Sequence, residues 1–288
     1  MKAFEGRVCL VTGAGSGIGR AMALEFAGQG MKVAVLDIEG AAADAVAAEI
    51  RGLGVEAVGM ACDVSDDSGM AEAFDRAAVR LGPVAVFCAN AGVTAFQRFA
   101  DMTAADLDWI YGVNLLGVSR GVRAVASGMI AAGEGHIVAT ASMAGLVPTW
   151  APNHVPYAAT KSGIIGLMMN LRSELAEHGV GCTTVCPGGV ITDILNAPRR
   201  RPERFGGPSD ERIKPPPGFR APVGAKYAQR TPQEVARMVL EAVRQDRPLV
   251  VTDPAMRGLY EDYAAMVLQA FDVAERWERS SEAGAPAD

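Results

Sequence analysis

Tyr157 and Lys161 stand four residues apart in the stretch HVPYAATKSG, among small side chains. A free phenol, with a pKa of about 10, is a poor base at neutral pH, and a free lysine is a cation. At this spacing on a helix the two share a face, and an ammonium beside a phenol favours the phenolate. The same spacing also describes an ordinary solvated pair. Other residues must decide between a working acid and base and a plain helix surface.

The first of these is a glycine-rich loop, TGAGSGIG, with Gly13, Gly15, Gly17 and Gly19 around Ser16 and Ile18. Ile18 stands where the common dinucleotide fingerprint needs glycine, so the match is to a different spacing, TGxxxGxG. Its physics is the same, since glycine allows a tight turn and close backbone approach while a helix N-terminus offers free N–H groups to a pyrophosphate. Asp37 follows at the distance where an acid accepts hydrogen bonds from the adenosine ribose hydroxyls. A carboxylate there repels a 2′-phosphate, so NAD is expected over NADP. The alternative for Asp37 is a cap for the next helix.

Bulk composition narrows the class. The chain has 288 residues, 50% of them hydrophobic, and a net charge of −6. That supports a substantial core and argues against a nucleic-acid footprint, leaving small-molecule chemistry. The apolar run Val8–Val11 is too short for a signal peptide, and no membrane-spanning window is free of charges or turn residues. A cytoplasmic protein is expected. Cys9, Cys62, Cys88, Cys182 and Cys186 form no CxxC pair and only His136, His154 and His178 are present, so no metal site is expected.

Positioning these residues falls to an alternation of short Val-rich runs with helical segments. Strands are expected at 7–12, 32–36, 57–62, 84–89, 136–141, 182–186 and 249–252. Helices are expected at 17–29, 41–51, 66–81, 104–131, 157–178, from Pro232 to 244, and from 254 to about 278. Alternating strands and helices make βαβ units on a parallel sheet. The expectation is α/β: one doubly wound domain over residues 1–280, with a Pro, Gly and Arg-rich loop at 193–230 and a disordered tail at 281–288. Thr231 with Pro232 is the expected N-cap after that loop. From Arg199 to Arg230 nine basic residues face three acidic ones, +6 against −12 on the rest of the chain. Such a loop steers an anionic substrate or lies on an acidic neighbouring surface, the second being slightly favoured.

Seven motifs in chain order resemble the short-chain dehydrogenase/reductase family, in its branch with TGxxxGxG and YxxxK. They are Thr12–Gly19, CDV at Cys62–Val64, NAG at Asn90–Gly92, VNLLG at Val113–Gly117, Ser142, Tyr157 with Lys161, and PGGVIT at Pro187–Thr192. The resemblance implies a Rossmann-type fold and a nicotinamide cofactor. Asp63 and Val64 would border its adenine, Asn90 and Gly92 its cleft, and Val190 and Thr192 its carboxamide. It implies Tyr157 as base, Lys161 as its electrostatic partner and ribose ligand, Ser142 as holder of the substrate oxygen, and Asn114 as holder of a proton-relaying water. Homodimers or homotetramers are the rule in the family. Three departures stand out: Ala89 replaces an asparagine before Asn90, the interval from Ser142 to Tyr157 is long, and so is the loop from Ala197 to Arg230.

Loops of that length are usually lids. Phe205, Phe219 and Tyr227, with Trp150 as a wall, point to an apolar or aromatic alcohol. The C-terminal stretch is faintly similar to that of aryl-alcohol (lignin-type Cα) dehydrogenases. Hydroxysteroid or alicyclic alcohols and 3-oxoacyl reduction stay open, as does a regulator that only senses NAD(H). His154 reads as a loop residue or pocket wall.

Overall fold

The computed structural model describes residues 3–216 and 229–283. Seven strands form one parallel sheet: β1 (Val8–Thr12), β2 (Lys32–Asp37), β3 (Ala57–Ala61), β4 (Val84–Ala89), β5 (Gly135–Thr140), β6 (Val180–Cys186) and β7 (Leu249–Val251). They lie in the order β3-β2-β1-β4-β5-β6-β7, every pair parallel. The order reverses between β1 and β4, where an open α/β sheet leaves a crevice beyond its carboxyl ends.

Helices cover both faces. They are α1 (Gly17–Ala27), α2 (Gly40–Gly52), α3 (Asp67–Leu81), α4 (Ala104–Tyr111), α5 (Gly117–Ala132), α6 (Met143–Leu146), α7 (Val155–Leu175), α8 (Pro232–Gln245) and α9 (Arg257–Ala283). All of β1 is therefore buried, and its residues alternate between two cores. Leu10 belongs to the core of Phe87, Ile137, Met129 and Ile164 on one side; Cys9 and Val11 belong to that of Phe26, Val35, Ile50 and Val239 on the other. Double burial explains why the strands read as apolar runs rather than alternating patterns.

Two departures from the expected elements matter. The helix expected at 104–131 is continuous but interrupted by a π-helical turn at Gly112–Leu116, which holds Asn114. By length and composition Ala104–Ala132 could cross a membrane, yet Val118, Val122, Val125 and Met129 are spent on the core. At the other end α9 runs through Ala283, so residues 281–283 of the expected tail are helical. The cap before α8 is as read: the Thr231 hydroxyl accepts from Glu234 N, and the Glu234 carboxylate accepts from Thr231 N at 2.8 Å.

Candidate active site

One cleft runs along the carboxyl ends of β1 to β6, lined by Gly13, Ser16, Gly17, Ile18, Asp37, Asp63, Val64, Asn90, Gly92, Ser142, Tyr157, Lys161, Val190 and Thr192 among others. Two glycines of the first loop are fixed by packing. Gly13 has φ +62, and a Cβ there would lie 2.7 Å from the Ala91 Cα. A Cβ on Gly19 would overlap the Gly13 carbonyl oxygen and the Asn90 amide, so Gly19 sets the closeness of α1 rather than lining the cleft. Ser16 caps α1 without a side-chain hydrogen bond. The first-turn N–H groups are thus left for an anion, and this cradle fits a dinucleotide pyrophosphate.

Asp37 is buried at the end of β2. Its Oδ2 accepts from Gly15 N at 2.9 Å and its Oδ1 from Glu39 N at 3.0 Å, so it ties the glycine loop to the start of α2. Part of its role is the local turn chemistry expected of an aspartate before a helix, and it still lines the cleft. Asn90 Nδ2 donates to Thr12 O at 3.1 Å, while its Oδ1 accepts from Thr140 Oγ1 at 3.1 Å. The asparagine therefore stitches β1, β4 and β5 together beneath the cleft floor.

Farther along, Tyr157 and Lys161 rise from the first turns of α7, both buried. Lys161 Nζ donates to Thr140 O at 2.8 Å and sits 5.5 Å from the Tyr157 ring centroid. Burial pulls the Lys161 ammonium down to about 8. It pushes the Tyr157 phenol up to about 12, against the opposing pull of a hydrogen bond with Ser142. The expected lowering of Tyr157 by Lys161 is not what this geometry gives. Loss of water around the phenol dominates, and the ammonium is anchored to a backbone carbonyl. Ser142 Oγ also accepts from Ala144 N at 3.1 Å, so the residue caps α6 as well as facing Tyr157.

Asn114 is fully buried behind Gly92 and does not line the cleft. Its Oδ1 accepts from Val93 N at 2.8 Å, and its Nδ2 donates to Val93 O at 3.0 Å and to Thr160 Oγ1 at 3.1 Å. The π-helical turn brings the carboxamide to that loop, and the side chain acts there as a clamp on the Gly92–Val93 backbone.

His154, expected as a loop residue or pocket wall, does not line the cleft but backs Tyr157. Asn153, in the left-handed region at φ 58, turns the chain into α7 and leaves His154 stacked on the Tyr157 ring, centroids 4.3 Å apart and planes 11° apart. Phe96 covers its other face at 4.1 Å. His154 Nε2 meets Thr94 Oγ1 at 2.9 Å, its Nδ1 has no hydrogen-bond partner, and burial holds its pKa down near 4. The imidazole is neutral at pH 7, an aromatic platform rather than a base.

Residues 194–205 form two 3₁₀ turns that strap the cleft's far rim. Arg199 and Arg200 pair with Glu39 and Asp193, Arg201 with Asp106 at 2.6 Å, and Arg204 with Asp63 and Ser65, both at 2.7 Å. The basic run thus lies on an acidic neighbouring surface. Phe205, expected over a substrate, packs on the core beside Gly112 instead, and Trp150 also packs on the core. Phe219 and Tyr227 lie outside the described residues. The strap contributes Ile194, Ala197, Arg200 and Pro202 to the cleft, and α4 contributes Trp109, capped by Arg201 at 5.1 Å. Four of these five lie in the loop expected as a lid, and only Trp109 had no local sequence signal.

Residues 7–203 match the model of the short chain dehydrogenase family. The C alpha-dehydrogenase of Sphingobium sp. is 36% identical over 208 residues, 72% of this chain and 68% of that protein. The probable oxidoreductase EphD of Mycobacterium tuberculosis is 34% identical over 87% of this chain, which spans only 41% of that longer protein. A short chain dehydrogenase/reductase of Burkholderia phymatum, solved in complex with NAD, superposes with a TM-score of 0.83 at 33% identity, covering 93% of this chain and 97% of the other. With a matching family model over two thirds of its length, the chain belongs to the short chain dehydrogenase family, oxidoreductases that act on alcohols and ketones with a nicotinamide cofactor.

Proposed function

We propose that this oxidoreductase interconverts an apolar, aromatic secondary alcohol and its ketone with NAD, Tyr157 moving the proton. The observation that carries this reading is the buried constellation of Tyr157, Ser142 and Lys161 in one cleft with Asp37. Alcohol oxidation removes a hydride from carbon and a proton from oxygen. A bound nicotinamide cofactor supplies the hydride acceptor. Ser142 holds the substrate oxygen, and Tyr157 takes its proton. Tyr157 takes that proton as the phenolate, whose negative charge Lys161, nearly free of water, stabilises until the proton arrives. The first-turn amides of α1 hold the pyrophosphate, Asp37 the adenosine ribose, Asp63 and Val64 the adenine edge, and Val190 and Thr192 the carboxamide. Asn114 keeps the Gly92–Val93 loop in place beside Lys161, and a water on this network relays protons outward.

Away from the charged rim the cleft wall is Val93, Trp109, Val113, Ile194 and Ala197, which suits a flat apolar substrate. Similarity to a C alpha-dehydrogenase points the same way. We extend the reading to a cytoplasmic homodimer or homotetramer, because Leu116, Ile130 and Met169 leave apolar side chains on the outer faces of the helical stretch 112–132 and of α7. Fluorescence titration with NADH and NADPH, followed by turnover of a panel of benzylic, alicyclic and steroid alcohols, tests it. Tighter NADH binding and turnover of benzylic alcohols are expected. Tighter NADPH binding sinks the role of Asp37, and NADH binding without turnover of any alcohol makes the protein a sensor.

A further inference from the structure

The cofactor end of the cleft holds a cation beside the carboxylate that should exclude a 2′-phosphate. Arg200 lines the same cavity as Asp37 and Ile38 and is largely buried. An arginine fork there is the group that binds phosphate best, and a 2′-phosphate near −2 in charge would seek it. Two carboxylates already hold that fork. Glu39, two residues past Asp37 and at the N-cap of α2, accepts from Arg200 Nε, and Asp193 lies 3.4 Å from Arg200 Nη2. Arg199 reaches the same two acids, at 3.4 Å to Glu39 and 3.3 Å to Asp193.

The strap therefore brings two arginines to the cofactor rim and neutralises both. We propose that Glu39 is a specificity-determining residue of this enzyme. By occupying Arg200 it withholds the one cleft-lining arginine among the described residues from a 2′-phosphate, so that NADP finds Asp37 and a second carboxylate beside a cation already paired. Discrimination then has a repulsive and a withheld attractive part. The proposal rests on the reading that the adenosine ribose sits at Asp37.

The test is the ratio of NADPH to NADH dissociation constants, measured by fluorescence and therefore independent of turnover. Wild type is expected to bind NADH more tightly. In Glu39→Gln the ratio should move toward NADPH by about tenfold, the worth of one charge-assisted hydrogen bond. Adding Arg200→Gln to that variant should erase the gain. Asp193→Asn, which loosens Arg200 from its other side, should move the ratio the same way by a smaller factor. Wild type preferring NADPH overturns the placement of the ribose at Asp37, and the proposal with it. Wild type preferring NADH with no shift in Glu39→Gln overturns the proposal alone. A shift that survives Arg200→Gln overturns the role of Arg200, since simple loss of repulsion then explains it. Should Glu39→Gln fail to bind NADH, the Asp193→Asn ratio decides, and no shift there overturns the proposal.

Discussion

Tyr157, Lys161 and His154 at one end of the cleft and Glu39, Asp63, Arg200 and Arg204 at the other are both sets of titratable groups, yet water treats them differently. The first three are 8%, 3% and 5% exposed, and burial is the largest cause that moves each pKa away from its ordinary value. The second set is joined in ion pairs, with side chains such as Arg204 and Glu39 at 46% and 40% exposure. One end tunes proton affinity by excluding solvent, and the other assembles a rim by ion pairs that solvent and salt can weaken. Substitutions at the first end should therefore act on the chemical step, and substitutions at the second on cofactor affinity.

The sharpest separation comes from Tyr157→Phe. It deletes one hydroxyl but keeps the ring that stacks on His154. Loss of a general acid-base group costs about 10²–10⁴-fold in rate. We expect kcat to fall in that range with NADH affinity intact, by steady-state kinetics and fluorescence titration. A comparable loss of NADH binding would blur the two ends into one.

The second prediction uses pH. Lys161, near 8, and Tyr157, near 12, share one turn of α7, and the two together shed their first proton near pH 8. Alcohol oxidation needs that proton gone, so kcat/KM should rise about tenfold per pH unit below 8 and level off above it. In Lys161→Arg the cation persists at every working pH, so the inflection near 8 should vanish. An inflection that stays in place would assign the titration to another group.

His154 gives a smaller effect and a separate readout. In His154→Ala the phenol loses its stacked neighbour, and kcat should drop about tenfold with little change in KM, as misorientation does. His154→Phe keeps a ring there and should recover most of the rate. Folding stability gives a second readout of the same imidazole. The native imidazole stays neutral down to about pH 4, while the unfolded one takes a proton near 6.5. The unfolded state thus binds more protons between those values, and stability falls as pH drops from 6.5 to 4. Urea melts across that window should show a shallower loss in His154→Phe.

The sequence revealed these two ends unequally, for a physical reason. Tyr157 with Lys161, the glycine loop and Asp37 sit at a helical turn or a strand end, which spacing makes visible, while the resemblance to the family supplied Ser142 and the catalytic roles. The strap's pairs join residues far apart in the chain, such as Arg204 with Asp63 and Arg200 with Glu39, and no periodicity carries them. The run of arginines did announce a charged surface, but not which acids it would meet. Trp109 and Phe205 show the same limit: their faces depend on a π-helical turn and a strap that only tertiary packing fixes. His154 was visible as a residue and opaque in role, because stacking on Tyr157 requires the left-handed turn at Asn153.

The rim's own measure is the weakest effect and the best challenge to the contrast. Asp63 Oδ1 accepts from Ser65 N and Oγ, and its Oδ2 accepts from Arg204 at 2.7 Å, so the carboxylate proposed to border the adenine is oriented from both sides. Because Arg204 is nearly half exposed, the pair is worth at most about 1 kcal/mol and is screened by salt. Arg204→Gln should then raise the NADH dissociation constant by about two- to fivefold in dilute buffer and leave kcat alone. Near 1 M salt, where the screening length is about 3 Å, variant and wild type should converge. A loss in kcat, or a gap that persists at high salt, would mean that the strap reaches the chemistry through Arg201 and Trp109, whose ring lines the same cleft as Tyr157.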